Sequence, residues 1–283
     1  GQAATRGHQG SAIVRGLPAG CIPLILLRPP GEPMPLQALL WDVDGTLAET
    51  ERDGHRLAFN RAFAESGVPL HWDVNHYGEL LAISGGRERI SAALEAAQGG
   101  PADPGWVAEL QSRKQRHYAA LVAAGELRLR PGVAELITEA SAAGVVQAIV
   151  TTSGRPAVTA LADHLLAGLA GCFRLWVCGD DVARKKPDPE AYRLALHQLG
   201  CPASTALALE DSGNGLAAAA SAGLACLLTL SHYGSAEPSQ RFARARAVVD
   251  QLGAGAAVLR GPACQGGQIT LSYVQALLED SPT

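Results

Sequence analysis

The sequence predicts an α/β protein: a doubly wound parallel sheet with an α-helical cap inserted into it. Three observations lead there. Short apolar runs alternate with helical stretches through most of the chain, the pattern of parallel strands joined by crossover helices. One helical block, Thr50 to about Gly125, interrupts that alternation after the first apolar run. Three of the apolar runs end in residues that carry chemistry, and the carboxyl ends of strands are where open α/β sheets bind ligands.

Each element follows from local signals. Leu36 to Val43 reads as the first strand, in which residues two apart share a side, so Asp42 and Asp44 aim at one spot while Val43 faces the other way. In the last helix of the block, Val107, Leu110, Tyr118 and Leu121 form an apolar stripe with Lys114 in its middle. Helix Val133 to Ala143 stops at Gly144 and strand Val145 to Val150 follows; helix Pro156 to Leu166 then leads to a strand near Leu175 to Cys178. The next helix, Pro189 to Leu199, has Asp188 as its expected N-cap and Pro189 at its first position. Strand Thr205 to Leu209, helix Leu216 to Ala222 and strand Leu224 to Leu230 complete the alternation. A Gly-rich connection, Ala254 to Gly267, precedes a final helix, Tyr273 to Leu278. The expected division is a core of residues 36–49 plus 129–283 and a cap of residues 50–128.

Residues 1–35 are expected to be a disordered extension. They carry no acidic residue before Glu32, are rich in Gly, Pro and Ala, and include the sequence's single methionine, Met34. A start site at Met34 is one explanation, with residues 1–33 a tag, an upstream read-through or an acid-poor targeting peptide.

Composition narrows the function. With 283 residues and 47% hydrophobic content the chain can bury a sizeable core. Its net charge of −4 offers no basic surface for nucleic acid. Six cysteines occur without C-x-x-C spacing and read as reduced, mostly small core residues. No apolar stretch reaches membrane-spanning length. The expectation is a cytoplasmic monomer acting on a small molecule.

The chemistry lies in four elements: Asp42-Val43-Asp44-Gly45-Thr46, Thr151, Lys186-Pro187 and Glu210-Asp211. Singly, Thr151 could be a helix cap and Lys186 a surface lysine; their joint order carries the inference. One carboxylate of the Asp42/Asp44 pair can attack phosphorus while the other handles protons. Gly45 lets the chain turn away, and Thr46 offers a hydroxyl and a backbone N–H to phosphate oxygens. Clustered carboxylates alone would repel a phosphate, so a hard divalent cation is required, and Mg²⁺ suits the oxygen ligands Asp42, Asp44, Glu210 and Asp211. Lys186 supplies positive charge to the attacked group and Thr151 a hydrogen bond.

These residues resemble those of the haloacid dehalogenase superfamily of phosphatases, in its CbbY-like and beta-phosphoglucomutase-like branch. The resemblance rests on LLWDVDGTLAETE (39–51), AFNRAF (58–63), SGGRERI (84–90), GVAELI (132–137), KKPDPEAY (185–192) and ALEDSGNGL (208–216). It implies Asp42 as nucleophile, Asp44 as general acid/base, Thr151 and Lys186 as phosphate ligands, and Asp211 with Glu210 as metal ligands. Trp41 stands where such sequences usually carry Phe. Asp44 argues against carbon–halogen cleavage, because dehalogenase members lack the second aspartate.

Further candidates face the cleft expected between cap and core. Glu51 matches a family position and suits a substrate hydroxyl, whereas His55 reads equally as an ordinary helix residue. Of 23 basic residues only Lys114, Lys185 and Lys186 are lysine, which singles out positions where a compact ammonium is needed. Lys114 and Arg87 are the cap cations expected to meet a second substrate phosphate, and Thr152 and Arg155 follow the Thr151 turn. The function read from all this is a Mg²⁺-dependent phosphatase that hydrolyses a small sugar phosphate, with a sugar bisphosphate such as xylulose 1,5-bisphosphate the expected substrate, through a phospho-aspartyl intermediate. A phosphomutase is the alternative. Gly213-Asn214-Gly215-Leu216-Ala217-Ala218 imitates a dinucleotide fingerprint, but Glu210-Asp211 before it would repel a pyrophosphate. A non-catalytic binding module would have no use for the intact carboxylate set.

Overall fold

The computed structural model describes residues 36–279, so the expected extension over residues 1–35 and the start at Met34 lie outside the described residues. Seven strands form one sheet: β1 (Ala38–Trp41), β2 (Val146–Val150), β3 (Phe173–Val177), β4 (Ala206–Glu210), β5 (Ala225–Thr229), β6 (Ala247–Val249) and β7 (Val258–Arg260). Their order is β3-β2-β1-β4-β5-β6-β7. Chain direction across the sheet reverses between β1 and β4, which leaves a crevice at their carboxyl ends.

All pairings are parallel except β6 with β7, which is antiparallel. The sheet is otherwise parallel, as expected; β7 lies inside the Gly-rich connection Ala254 to Gly267, to which the sequence reading gave no strand, and β6 stands just before that connection. Each is three residues long and β7 is mostly exposed, too little periodicity to stand out from a Gly-rich connection.

Alternation along β1 shows why the sheet is covered twice. Leu39 and Trp41 join one apolar cluster with residues of α5 (Val133–Ala142), α6 (Arg155–His164) and α9 (Leu271–Glu279). Ala38 and Leu40 join the other, with α7 (Glu190–Leu199) and α8 (Gly213–Ser221). Trp41 needs a polar partner inside the first cluster, and its indole N–H donates to Gln147 Oε1 at 2.9 Å. Four helix starts differ from expectation by one to three residues: α6 begins at Arg155 and α9 at Leu271, each before its expected start. Helix α7 begins at Glu190, and Asp188 accepts the Glu190 N–H at 3.0 Å. Helix α8 begins at Gly213, capped by Ser212, because the Ser hydroxyl accepts the Gly215 N–H and so recruits the Gly-rich turn into the helix.

Between β1 and α5 lies the helical insertion. A π-type turn, Glu51–His55, runs into α1 (Arg56–Glu65), followed by α2 (Val74–Leu80), α3 (Gly86–Gln98) and α4 (Pro104–Ala123). The insertion has its own apolar cluster, with Phe59, Phe63, Trp72, Tyr77, Ile90 and Leu110 at its centre. The other edge of α4, at Tyr118 and Leu121, packs into the sheet-side cluster instead.

Candidate active site

Strand β1 delivers Asp42 and β4 delivers Glu210 and Asp211 to the crevice where strand order reverses. One oxygen from each of these three buried carboxylates lies within 4.8 Å of the others. Lys186 reaches in from the loop before α7: its Nζ donates to Asp42 Oδ1 at 2.8 Å, Glu210 Oε1 at 2.6 Å and the Val150 carbonyl at 2.7 Å. The Tyr192 hydroxyl also donates to Glu210 Oε1, and Lys186 Nζ stands 5.0 Å from the Tyr192 ring centre.

Gly45 makes the carboxylates' close approach possible. Its φ is +88°, and a β-carbon there would lie 2.2 Å from Asp211 Oδ2. Ser231, just past β5, donates to that same oxygen at 2.5 Å. Thr46 is fully buried behind Asp42, its hydroxyl donating to Asp42 Oδ2 at 3.3 Å.

Burial pushes the Asp42 carboxyl up to about 8 although Lys186 pulls it down, with Glu210 and Asp44 adding to the rise. Burial and then the Asp42 charge hold Asp211 well above the usual carboxylate range. Burial works against the Lys186 ammonium, yet the Asp42 and Glu210 charges outweigh it and raise its pKa. Three buried carboxylates, two of them paired with one ammonium, make an electron-rich nest of hard oxygen donors. A divalent cation fits both its charge and its chemistry.

Asp44 is oriented differently from its expected place among the metal ligands. Its carboxyl accepts hydrogen bonds from the Thr50 and Ser153 hydroxyls, and His55 Nε2 lies 2.7 Å from Oδ1. Burial opposes its charge, but His55 first and then these hydrogen bonds hold it well below the usual carboxylate range. His55 is therefore more than an ordinary helix residue. It stacks on Tyr118 with ring centres 4.1 Å apart, and its Nδ1 lies 2.7 Å from Lys114 Nζ.

Asp42, Asp44, Glu51, Thr152, Lys186, Glu210 and Asp211 line one cleft of about 200 Å³. Thr151 is buried at the end of β2, where its hydroxyl accepts the Ser153 N–H at 3.1 Å. Lys114 is buried on α4, outside the lining of that cleft, with Phe59 and Tyr118 rings 4.8 and 5.3 Å from its Nζ. Arg87 is exposed on the far side of α3 and lines a separate groove with Lys185. Arg155 turns outward to Asp181 at 2.6 Å.

The cation on the insertion's wall of the cleft is Arg89, which the sequence reading passed over. Its Nη1 donates to the Tyr77 hydroxyl at 3.0 Å, and Tyr77 donates to Glu51 Oε2 at 2.5 Å. Arg87 and Arg89 are only two residues apart, and the apolar positions Ile90 and Leu94 mark the insertion's own core rather than the cleft. Periodicity could not choose between them. Gly215 has a cause unrelated to nucleotides: a β-carbon there would lie 1.8 Å from Glu210 Oε2, so the carboxylate fills the approach a pyrophosphate would need.

A family model, haloacid dehalogenase-like hydrolase, matches residues 36–223. The chain belongs to that family and is an enzyme, a phosphoric monoester hydrolase. Within it, the Protein CbbY of Cereibacter sphaeroides is 48% identical over 199 residues, covering 70% of this chain and 86% of that protein. A CBBY-like protein of Arabidopsis thaliana is 41% identical over 223 residues, 76% of this chain and 69% of that one. Among solved structures, CbbY from Rhodobacter sphaeroides in complex with phosphate aligns with TM-score 0.71 and 46% identity, covering 76% of this chain and 94% of that chain. A mutant of the same CbbY in complex with xylulose 1,5-bisphosphate aligns with TM-score 0.71 and 45% identity over the same shares. The beta-phosphoglucomutase of Clostridium difficile, at 18% identity and TM-score 0.68, shares the fold.

Proposed function

We propose that this enzyme is a Mg²⁺-dependent phosphatase that hydrolyses a small sugar bisphosphate, with xylulose 1,5-bisphosphate as the leading candidate, through a phospho-Asp42 intermediate. The observation that carries the reading is one cleft with a buried carboxylate and ammonium nest at its floor and Arg89 on its opposite wall. Arg89 Nη2 stands 3.7 Å from Glu51 Oε1; a monophosphate would engage the floor alone, whereas a bisphosphate also brings Arg89 a second anion. The CbbY structure bound to xylulose 1,5-bisphosphate supports the same choice. Residues 50–128 then act as a cap over a core of residues 36–49 and 129–283.

In this reading Asp42, Glu210 and Asp211 hold the cation, which when bound offsets the negative charge of the transferred phosphoryl group. Asp42 attacks phosphorus, and the bond to the sugar oxygen breaks as that oxygen takes a proton relayed from solvent through Asp44, which is ionised at rest. Lys186 keeps Asp42 oriented and shares its charge with the attacked group. Water then attacks phosphorus, Asp44 accepts its proton, and the Asp42–phosphorus bond breaks to release inorganic phosphate. Thr50, Ser153 and His55 fix the Asp44 carboxyl for both transfers. Closure over the cleft excludes bulk water while Arg89 and Glu51 engage the remote end.

The test is phosphate release from xylulose 1,5-bisphosphate, glucose 1-phosphate and p-nitrophenyl phosphate, with and without Mg²⁺. Preference for the bisphosphate is expected. Conversion of glucose 1-phosphate to glucose 6-phosphate without net phosphate release would replace this reading with a phosphomutase.

A further inference from the structure

Arg130 stands between the carboxyl ends of β5 and β6 and the loop that follows Asp42, with its guanidinium buried, 8% of the residue exposed. Nη1 donates to the carbonyls of Gly45 and Thr229, the latter at 2.7 Å. Nη2 donates to the carbonyls of Leu230 and Asp250, both at 2.8 Å. The nearest carboxylate is Glu49, at 3.8 Å from Nε. One planar fork thus gathers backbone oxygens from three separate segments, an arrangement that a single-point ammonium could not reproduce.

Where those carbonyls lie gives the contact its meaning. Gly45 follows Asp44 and touches Asp211, and Leu230 precedes Ser231, whose hydroxyl holds Asp211 Oδ2. A β-carbon on Gly45 would also lie 2.9 Å from Ser231 Cβ, so Gly45, Asp211 and Ser231 pack with no slack. Ser231 in turn accepts the Gly234 N–H at 3.0 Å, which fixes its hydroxyl direction.

We propose that Arg130 is a positioning residue: by clamping the Gly45 and Leu230 carbonyls together it sets the spacing between the Asp42 loop and Asp211, and so the shape of the cation site. This rests on the reading that Asp42, Glu210 and Asp211 hold Mg²⁺. The guanidinium touches neither substrate nor the three carboxylates; it acts through Gly45 and Ser231. Groups that orient ligands in this way commonly change metal affinity by about 10–100-fold when removed.

The experiment is calorimetric titration of Mg²⁺ into the parent enzyme and into Arg130→Lys, Arg130→Met and Ser231→Ala, each with its melting temperature recorded. The proposal expects Arg130→Lys and Ser231→Ala to remain folded yet bind Mg²⁺ roughly tenfold more weakly. It also expects the Arg130→Lys/Ser231→Ala double variant to lose less than the two single losses combined, since both act on one carboxylate. Parent-like Mg²⁺ affinity in both single variants, with only the melting temperature lowered, would make Arg130 a purely structural clamp. Additive losses in the double variant would break the link through Ser231. If the parent enzyme itself bound no Mg²⁺, the cation reading would fail and this inference with it, a result separable from the other two.

Discussion

At the residue scale, three side chains make opposite claims on the chemistry. Asp42 is the nucleophile in the reading above, so Asp42→Asn should abolish p-nitrophenyl phosphate hydrolysis, a loss of several orders of magnitude as when a covalent catalyst is removed. Retained turnover would falsify the phospho-aspartyl route. In the same reading Arg89 is the remote-end cation. Arg89→Ala should lower kcat/KM for xylulose 1,5-bisphosphate by roughly tenfold or more, the scale of one charge-assisted contact, and spare p-nitrophenyl phosphate, which lacks a second anion. Equal losses on both substrates would show that Arg89 only supports Tyr77 and Glu51. Trp41 has no chemical part. Trp41→Phe strands the Gln147 carbonyl in the core, so urea unfolding should show a loss of about 1–3 kcal/mol with turnover nearly unchanged.

At the element scale, the most instructive piece is α4. The sequence shows Lys114 inside an apolar stripe, and that stripe is buried as read, but the lysine meets His55 and not the cleft. A helical projection says which way a side chain points, not how deep in a neighbouring element the ligand stops. Lys114→Ala should therefore slow both substrates alike, because it releases the histidine that holds Asp44. Burial pulls the Lys114 pKa down to about 8, from an ordinary value of 10.5. The sign follows directly: between those values the unfolded chain binds more protons than the folded one, so burial costs stability below pH 8 and that cost fades as pH rises. The melting-temperature difference between parent and Lys114→Met should move in the parent's favour from pH 7.5 to 9.5. A gap independent of pH would mean that Lys114 binds its proton as tightly in the folded protein as in the unfolded chain.

At the scale of the whole molecule, removal of divalent cations with EDTA should abolish turnover and addition of Mg²⁺ should restore it, since the carboxylate nest otherwise opposes a phosphate. The sheet, its helices and the carboxylate trio were legible because each sits at the end of an apolar strand, where pattern and chemistry coincide. What was not legible depended on contacts remote in sequence. Ser231 serves Asp211 across 20 residues and Arg130 reaches Gly45 across 85, separations that no local pattern encodes. The choice of Arg89 over Arg87 likewise needed the cleft's position, and the β6–β7 edge needed its partner strand. Relatives share this architecture, which is why the resemblance extends well beyond the quoted motifs.

Adjacent Lys185 and Lys186 part company in a way that ties two regions together. Lys186 enters the nest, while Lys185 leaves it and pairs at 2.6 Å with Glu88 on α3. A movement of the insertion must tug on the peptide unit next to the ammonium that steadies Asp42. By reciprocity, whatever draws Lys186 deeper favours the insertion's seated position. The outer half of this tether is a partly exposed ion pair, worth little by itself and weakened by salt. If the insertion closes as proposed, this tether would be light enough to part again without disturbing the nest beneath it.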